Sequence, residues 1–110
     1  MKEIRAYIES FMLPKLTQAL LDEIPDFPGM SVSDCEGFGE VKLISGRDFT
    51  PYMPKKRIEI FAPDELTEII FDTLMTAANT HQHGAGKVYV IDVIKSGKIS
   101  TGVRKDEYLP

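Results

Sequence analysis

The stretch His83-Gly84-Ala85-Gly86-Lys87, set just before the apolar run Val88-Tyr89-Val90-Ile91, concentrates residue types suited to holding an anion. Glycine lacks a Cβ, so two glycines around one small residue let several backbone N–H groups turn inward as a nest for negative charge. A lysine beside them adds a point charge suited to phosphate. The same Gly-x-Gly pattern also makes an ordinary turn before a strand, and these five residues alone leave both readings open. His81 and His83, two apart at the end of a helical pattern, offer a second chemistry. Imidazoles bind metal, but two ligands do not complete a site, and neither a cysteine pair nor a third histidine stands nearby. Histidines at a helix C-terminus also suit its dipole, which is the plainer reading. Catalysis finds less support. Glu36, Glu40, Asp48, Asp64 and Glu65 read as exposed by pattern, and no Ser-His-Asp or Cys-His spacing emerges. A phosphoryl-transfer enzyme needs a fuller phosphate and magnesium clamp than these residues supply. The chain reads as a binding protein, not an enzyme.

Composition narrows the partners. With 110 residues, 43% hydrophobic and 27% charged, the chain fits one globular domain, residues 1–110, with one core. A formal charge of -4 and scattered basic residues argue against nucleic acid, whose phosphates demand clustered Lys and Arg. Only Lys55-Lys56-Arg57 stand together. No stretch resembles a signal peptide or an apolar span of about 20 residues. The single cysteine, Cys35, cannot form an internal disulfide, which fits a reducing cytosol and a cytoplasmic location. It reads as a small residue in a strand.

The elements that must position the glycine loop follow from periodicity. Ile4, Ala6 and Ile8 alternate with Arg5, Tyr7 and Glu9, the period of a half-buried strand. Pro14 suits a first helical turn, and Leu16, Ala19, Leu20 and Ile24 follow at helical spacing until Pro25 and Pro28 close the helix. Gly29-Met30-Ser31-Val32-Ser33 opens a second strand towards Gly37-Phe38-Gly39. Glu40 to Met53 shows no periodicity and reads as a long loop, a class that is usually functional or disordered. Arg57 to Phe61 restores alternation. Pro63, Asp64 and Glu65 then form a helix entrance, followed by the stripe Leu66, Ile69, Ile70, Thr73, Leu74, Ala77 and Ala78. Lys87 to Val93 gives a fourth strand, and Lys95 to Arg104 a turn with a short extension. The order β-α-β-β-α-β predicts a ferredoxin-like α+β sandwich, an antiparallel four-stranded sheet with both helices on one face. The other face carries Tyr7, Phe61, Tyr89 and Ile91, so an oligomer is expected to cover it.

Six motifs now stand in order: Gly29-Met30-Ser31-Val32, Gly37-Phe38-Gly39, Met53-Pro54-Lys55, Ile58-Glu59-Ile60 with Pro63-Asp64, Gly84-Ala85-Gly86-Lys87-Val88, and Ser100-Thr101-Gly102. Together they resemble the PII family of trimeric signalling proteins over nearly the whole chain. The resemblance implies a homotrimer with an adenine nucleotide (ATP, ADP or AMP) in each cleft between subunits, and no obligatory cofactor. Residues 39–54 would be the family's T-loop, 80–87 its B-loop and 95–104 its C-terminal loop. Gly29 to Ser31 and Glu59 to Phe61 would line the adenine pocket, with Gly37 and Gly39 approaching from the T-loop base. Gly84, Ala85, Gly86 and Lys87 would hold the phosphates.

The departures carry implications too. Where the family uses two arginines from a neighbouring subunit, this chain has Lys98 and Ser100. Lysine lacks the bidentate fork of arginine, so weaker phosphate binding or a preference for fewer phosphates is expected. The family's Arg-Gln after Gly-Phe-Gly is Glu40-Val41 here, and valine offers no oxygen for magnesium or 2-oxoglutarate. The T-loop is shorter than usual, and Tyr52 lies too near the strand to match the family's uridylylated tyrosine. Lys55 matches the family lysine that touches 2-oxoglutarate. The expectation is a PII-like regulator that signals nucleotide occupancy through its T-loop to a target protein, a membrane transporter among the candidates. A small anion such as bicarbonate is a candidate second effector, and classical 2-oxoglutarate sensing is not expected. The alternative is a metal-responsive trimer of the PII/CutA kind linked to metal homeostasis, using His81 and His83.

Overall fold

Ile4, Ala6 and Ile8 are at most 1% exposed, as their alternation requires, and they mark the buried face of a strand. The computed structural model, which describes residues 1–38, 52–82 and 84–104, places them in β1 (Lys2–Glu9). A 3-10 turn, Ser10–Met12, leads into α1 (Leu13–Glu23), which has Pro14 in its first turn. β2 (Ser31–Phe38), β3 (Tyr52–Ala62), α2 (Asp64–Ala77) and β4 (Gly86–Asp92) follow. A small hairpin of β5 (Gly97–Lys98) and β6 (Val103–Arg104) comes last.

The four long strands form one sheet in the order β2-β3-β1-β4, and every neighbouring pair is antiparallel. This is the expected ferredoxin-like α+β fold. Ile4, Ala6, Ile8, Ile58, Ile60 and Ala62 form the floor of the core. Leu16, Leu20 and Ile24 cover it from α1 and its C-cap, and Ile70, Leu74, Ala77 and Ala78 from α2 and its end. Fully burying one such large side chain is worth about 1.5–3 kcal/mol before conformational entropy is set against it. Thr73 is buried beside them, its hydroxyl satisfied by donating to the Ile69 carbonyl at 2.6 Å.

β3 begins five residues earlier than the Arg57 start that periodicity suggests, since Tyr52 to Lys56 already pair with β2. Pro54 hides this, because proline argues against a central strand. Register resolves the conflict. β1 ends at the Glu9–Lys55 pair, so Pro54 faces Glu36 on β2 and has no β1 partner. β3 is an edge strand at that point, where a missing N–H is tolerated.

The face away from the helices is mixed rather than simply apolar. Phe61 and Tyr89 are 44% and 46% exposed, and Tyr7 and Tyr89 meet edge to face with ring centroids 6.3 Å apart. Between them lie charges. Arg5 donates to both oxygens of Glu3 at 2.9 and 3.0 Å, which explains how Glu3 can be only 6% exposed. Arg57 pairs with Glu59 at 3.2 Å. Hydrogen bonding to Glu3 raises the Arg5 pKa further above its ordinary value.

Candidate functional site

Register places the candidate residues on one face of the sheet. Successive strand residues point to opposite faces, so Lys55, Arg57, Glu59 and Phe61 share the face away from the helices. Across β2 that face continues with Ser31 opposite Glu59, and across β4 with Lys87, which pairs with Tyr7 through β1. Ile60 lies on the other face at 0% exposure and Met30 packs against the core, so neither reaches this surface. Gly29 is exposed at the entrance to β2. Lys55 and Glu59 are four residues apart on β3, roughly 13 Å at the rise of an extended strand.

At the Lys55 end three segments converge. The Lys55 Nζ donates to Glu9 Oε1 at 2.8 Å and to the Gly84 carbonyl at 2.5 Å. Its stem runs beside Gly37, where a Cβ would stand at ordinary contact distance, 3.4 Å, from Lys55 Cγ. The side chain thus bonds the end of β1 to the loop before β4 and lies alongside the end of β2. Two residues along, Arg57 Nε is buried with no hydrogen-bond acceptor among the described residues. Such a donor is costly to bury and suits an acceptor brought by a ligand or a neighbouring chain.

The glycine loop is built against β1. Gly86 has φ +132°, and a Cβ on it would collide with the Tyr7 carbonyl oxygen. Only glycine allows the two backbones to approach this closely. The Ala85 N–H donates to the Gln82 carbonyl at 3.3 Å and closes a turn. That N–H is therefore engaged within the loop in this conformation, and it would have to be released or shared to hold a phosphate. Lys87 is exposed. His81 is exposed, has φ +58°, and its N–H donates to Asn79 Oδ1 at 2.7 Å, which fits a residue closing the end of α2. No group of three His, Cys, Asp or Glu side chains arranged for a metal occurs among the described residues. Gly39, Glu40, Val41 and His83 lie outside the described residues, as does the T-loop up to position 51.

Lys98 lies on the β5–β6 hairpin, where its carbonyl accepts the Gly102 N–H at 2.8 Å. The hairpin leaves Ile99 101% and nearby Ile94 87% exposed. A recess of about 190 Å³ lies beside the loop, lined by Ile8, Leu74, Met75, Asn79, Ala85 and Lys87 among others, and is smaller than a nucleotide needs. A larger groove of about 590 Å³ between α1 and α2 is remote from the glycine loop. Glu9 is the site residue that the sequence did not single out, whereas Arg57 stood out only as part of the basic triplet Lys55-Lys56-Arg57. Glu9 reads only as the polar member of an alternating strand, and the strand register alone reveals its partner.

Fold and site together define a small α+β protein whose four-stranded antiparallel sheet is covered by two helices on one face and carries the glycine loop at the start of β4. The family model for nitrogen regulatory protein P-II matches residues 1–103. The chain is 35% identical over 111 residues to nitrogen regulatory protein P-II 1 of Escherichia coli K12, covering 96% of this chain and 97% of that one. It is 33% identical over 107 residues to nitrogen regulatory protein P-II of Rhodobacter capsulatus, covering 93% and 94%. The chain belongs to the P-II family. Members of this family are regulatory proteins that form homotrimers and take adenine nucleotides and 2-oxoglutarate as effectors. No helix among the described residues is long and apolar enough to cross a membrane.

Proposed function

We propose that this chain, as a single P-II domain, is a cytoplasmic signalling regulator that binds ATP, ADP or AMP in the clefts between subunits of a homotrimer. Occupancy of the clefts changes the order of the T-loop, expected from the sequence at residues 39–54 but ending where β3 begins at Tyr52, and that loop docks on a target protein. The observation that carries this reading is the Lys55 contact set. The Lys55 ammonium is bonded to Gly84 in the B-loop while its stem lies alongside Gly37, near the end of β2. A phosphate group held at Gly84 to Lys87 therefore acts directly on the root of the T-loop. A ligand biases a loop only by binding its states unequally, and shared contacts at Lys55 supply such a difference.

The base is placed at Gly29, Ser31, Glu59 and Phe61, about 13 Å along the hairpin from Lys55, a separation suited to an extended nucleotide. Gly37 and Gly39 approach from the T-loop. Gly84, Ala85, Gly86 and Lys87 take the phosphates, with Lys98 brought from a neighbouring subunit on its exposed hairpin. Regulation through 2-oxoglutarate is not part of this reading. Val41 has no side-chain oxygen to offer a metal, and Lys55 is already held by Glu9. Titration calorimetry with ATP, ADP and AMP, with and without magnesium and 2-oxoglutarate, tests it. Binding that ignores 2-oxoglutarate, with ADP or AMP at least as tight as ATP, is the expected result. Strong synergy between ATP and 2-oxoglutarate would overturn the separation from nitrogen sensing, and no nucleotide binding would overturn the whole reading.

A further inference from the structure

Lys55 is a cation at the edge of an anion-binding loop, yet its charge is already taken. Glu9 Oε1 lies 2.8 Å from Nζ, and the Glu9 and Lys55 side chains are only 28% and 15% exposed. On a Cβ at Gly84 the same carboxylate oxygen would stand 3.8 Å away and the Lys55 Nζ 4.0 Å, so the ion pair borders the loop itself. An anion entering there meets Lys87 and, close by, a lysine whose charge Glu9 already neutralises. The energy of that encounter grows with the charge of the ligand and is strongest where water is partly excluded.

We infer that Glu9 is a charge-selectivity residue of the nucleotide cleft. By holding Lys55 and facing Gly84, it lowers the affinity for ligands that place further phosphate or carboxylate charge beside the loop. The inference rests on the nucleotide reading above. A plain cross-strand ion pair is the competing account, since Glu9 and Lys55 are direct partners in the β1–β3 register. Such pairs add little more than local strand stability. Two features exceed that role. Lys55 also reaches the carbonyl of Gly84, 29 residues away on another segment. And the neighbouring strand pair, Lys56 with Asp34, is an ion pair on β2 and β3 that involves neither β1 nor the loop.

Calorimetry on the full-length wild type and Glu9→Gln, without magnesium, separates the accounts. The expected result is ATP binding tightened by about tenfold in Glu9→Gln, ADP by less, and AMP unchanged within about twofold. The ATP gain should shrink as salt rises. In Glu9→Gln/Lys55→Met the gain should disappear, because the released lysine charge is gone. Thermal midpoints of all variants check that each remains folded. If wild type binds nucleotides but Glu9→Gln shifts all three by the same factor, or shifts none, the selectivity role is overturned and the nucleotide reading survives. If neither protein binds any of the three, both fail.

Discussion

At position 86 a methyl group has nowhere to go. The Tyr7 carbonyl oxygen that it would strike belongs to the backbone of β1, which cannot rotate aside, and φ is +132°. Gly86→Ala should therefore cost at least about 2 kcal/mol, through strain and separation of β4 from β1. A thermal midpoint lowered by several degrees, measured by circular dichroism, is the expected outcome. An unchanged midpoint would show that the loop can move off β1. The glycine was legible in the sequence as part of a phosphate nest, but its packing duty was not, because the atom it must avoid lies on a strand far away in the chain. The same reason hid Glu9. Alternation marks a residue as outward-facing and says nothing of what stands opposite.

Helix α2 shows how an element is fixed at its start. Pro63 caps it in an extended conformation, and Asp64 and Glu65 occupy the first turn, where negative charge suits the dipole. Asp64 Oδ1 also lies 3.1 Å from the Met1 amino group and 3.7 Å from Lys2 Nζ. The hydrogen bond from that amino group, then the charge of Lys2, holds the Asp64 carboxyl below its ordinary value. A lowered folded pKa contributes stability that is fully present above the unfolded-chain pKa and is lost as pH falls through the lowered value. Asp64→Asn should therefore lower the thermal midpoint near neutral pH, with the gap to wild type closing in acid as the carboxylate is protonated. A gap that persists in acid would assign the effect to something other than charge. The helices and their buried stripes were readable because apolar spacing and proline punctuation agree. β3 was readable only in its three-strand portion. Its first residues, Tyr52 to Pro54, lack a β1 neighbour and carry no alternation that burial would enforce.

For the whole molecule, the exposed side chains of the C-terminal hairpin are the clearest sign of assembly. Ile99 on the hairpin stands at 101% exposure and Ile94, just before it, at 87%. Burying one isoleucine is worth about 1.5–3 kcal/mol, so Ile99→Asp should weaken self-association by at least about tenfold. Sedimentation equilibrium over a dilution series checks this. A trimer of undiminished strength would remove the hairpin from the interface. The fold could be read from element order, whereas the cleft could not be built from one chain's periodicity. The proposed cleft draws on a neighbouring subunit, and the sequence of its loop has no period at all.

The Tyr7–Tyr89 pair has a use of its own. The sequence contains no tryptophan and four tyrosines, so no indole masks phenolic emission. Two of the four touch edge to face on the surface proposed for ligand binding, and Tyr7 pairs across strands with Lys87. A negative charge arriving at Lys87 alters the electric field across those rings without any label being attached. The tyrosine pair would thus serve as a built-in optical reporter at the phosphate end of the proposed cleft.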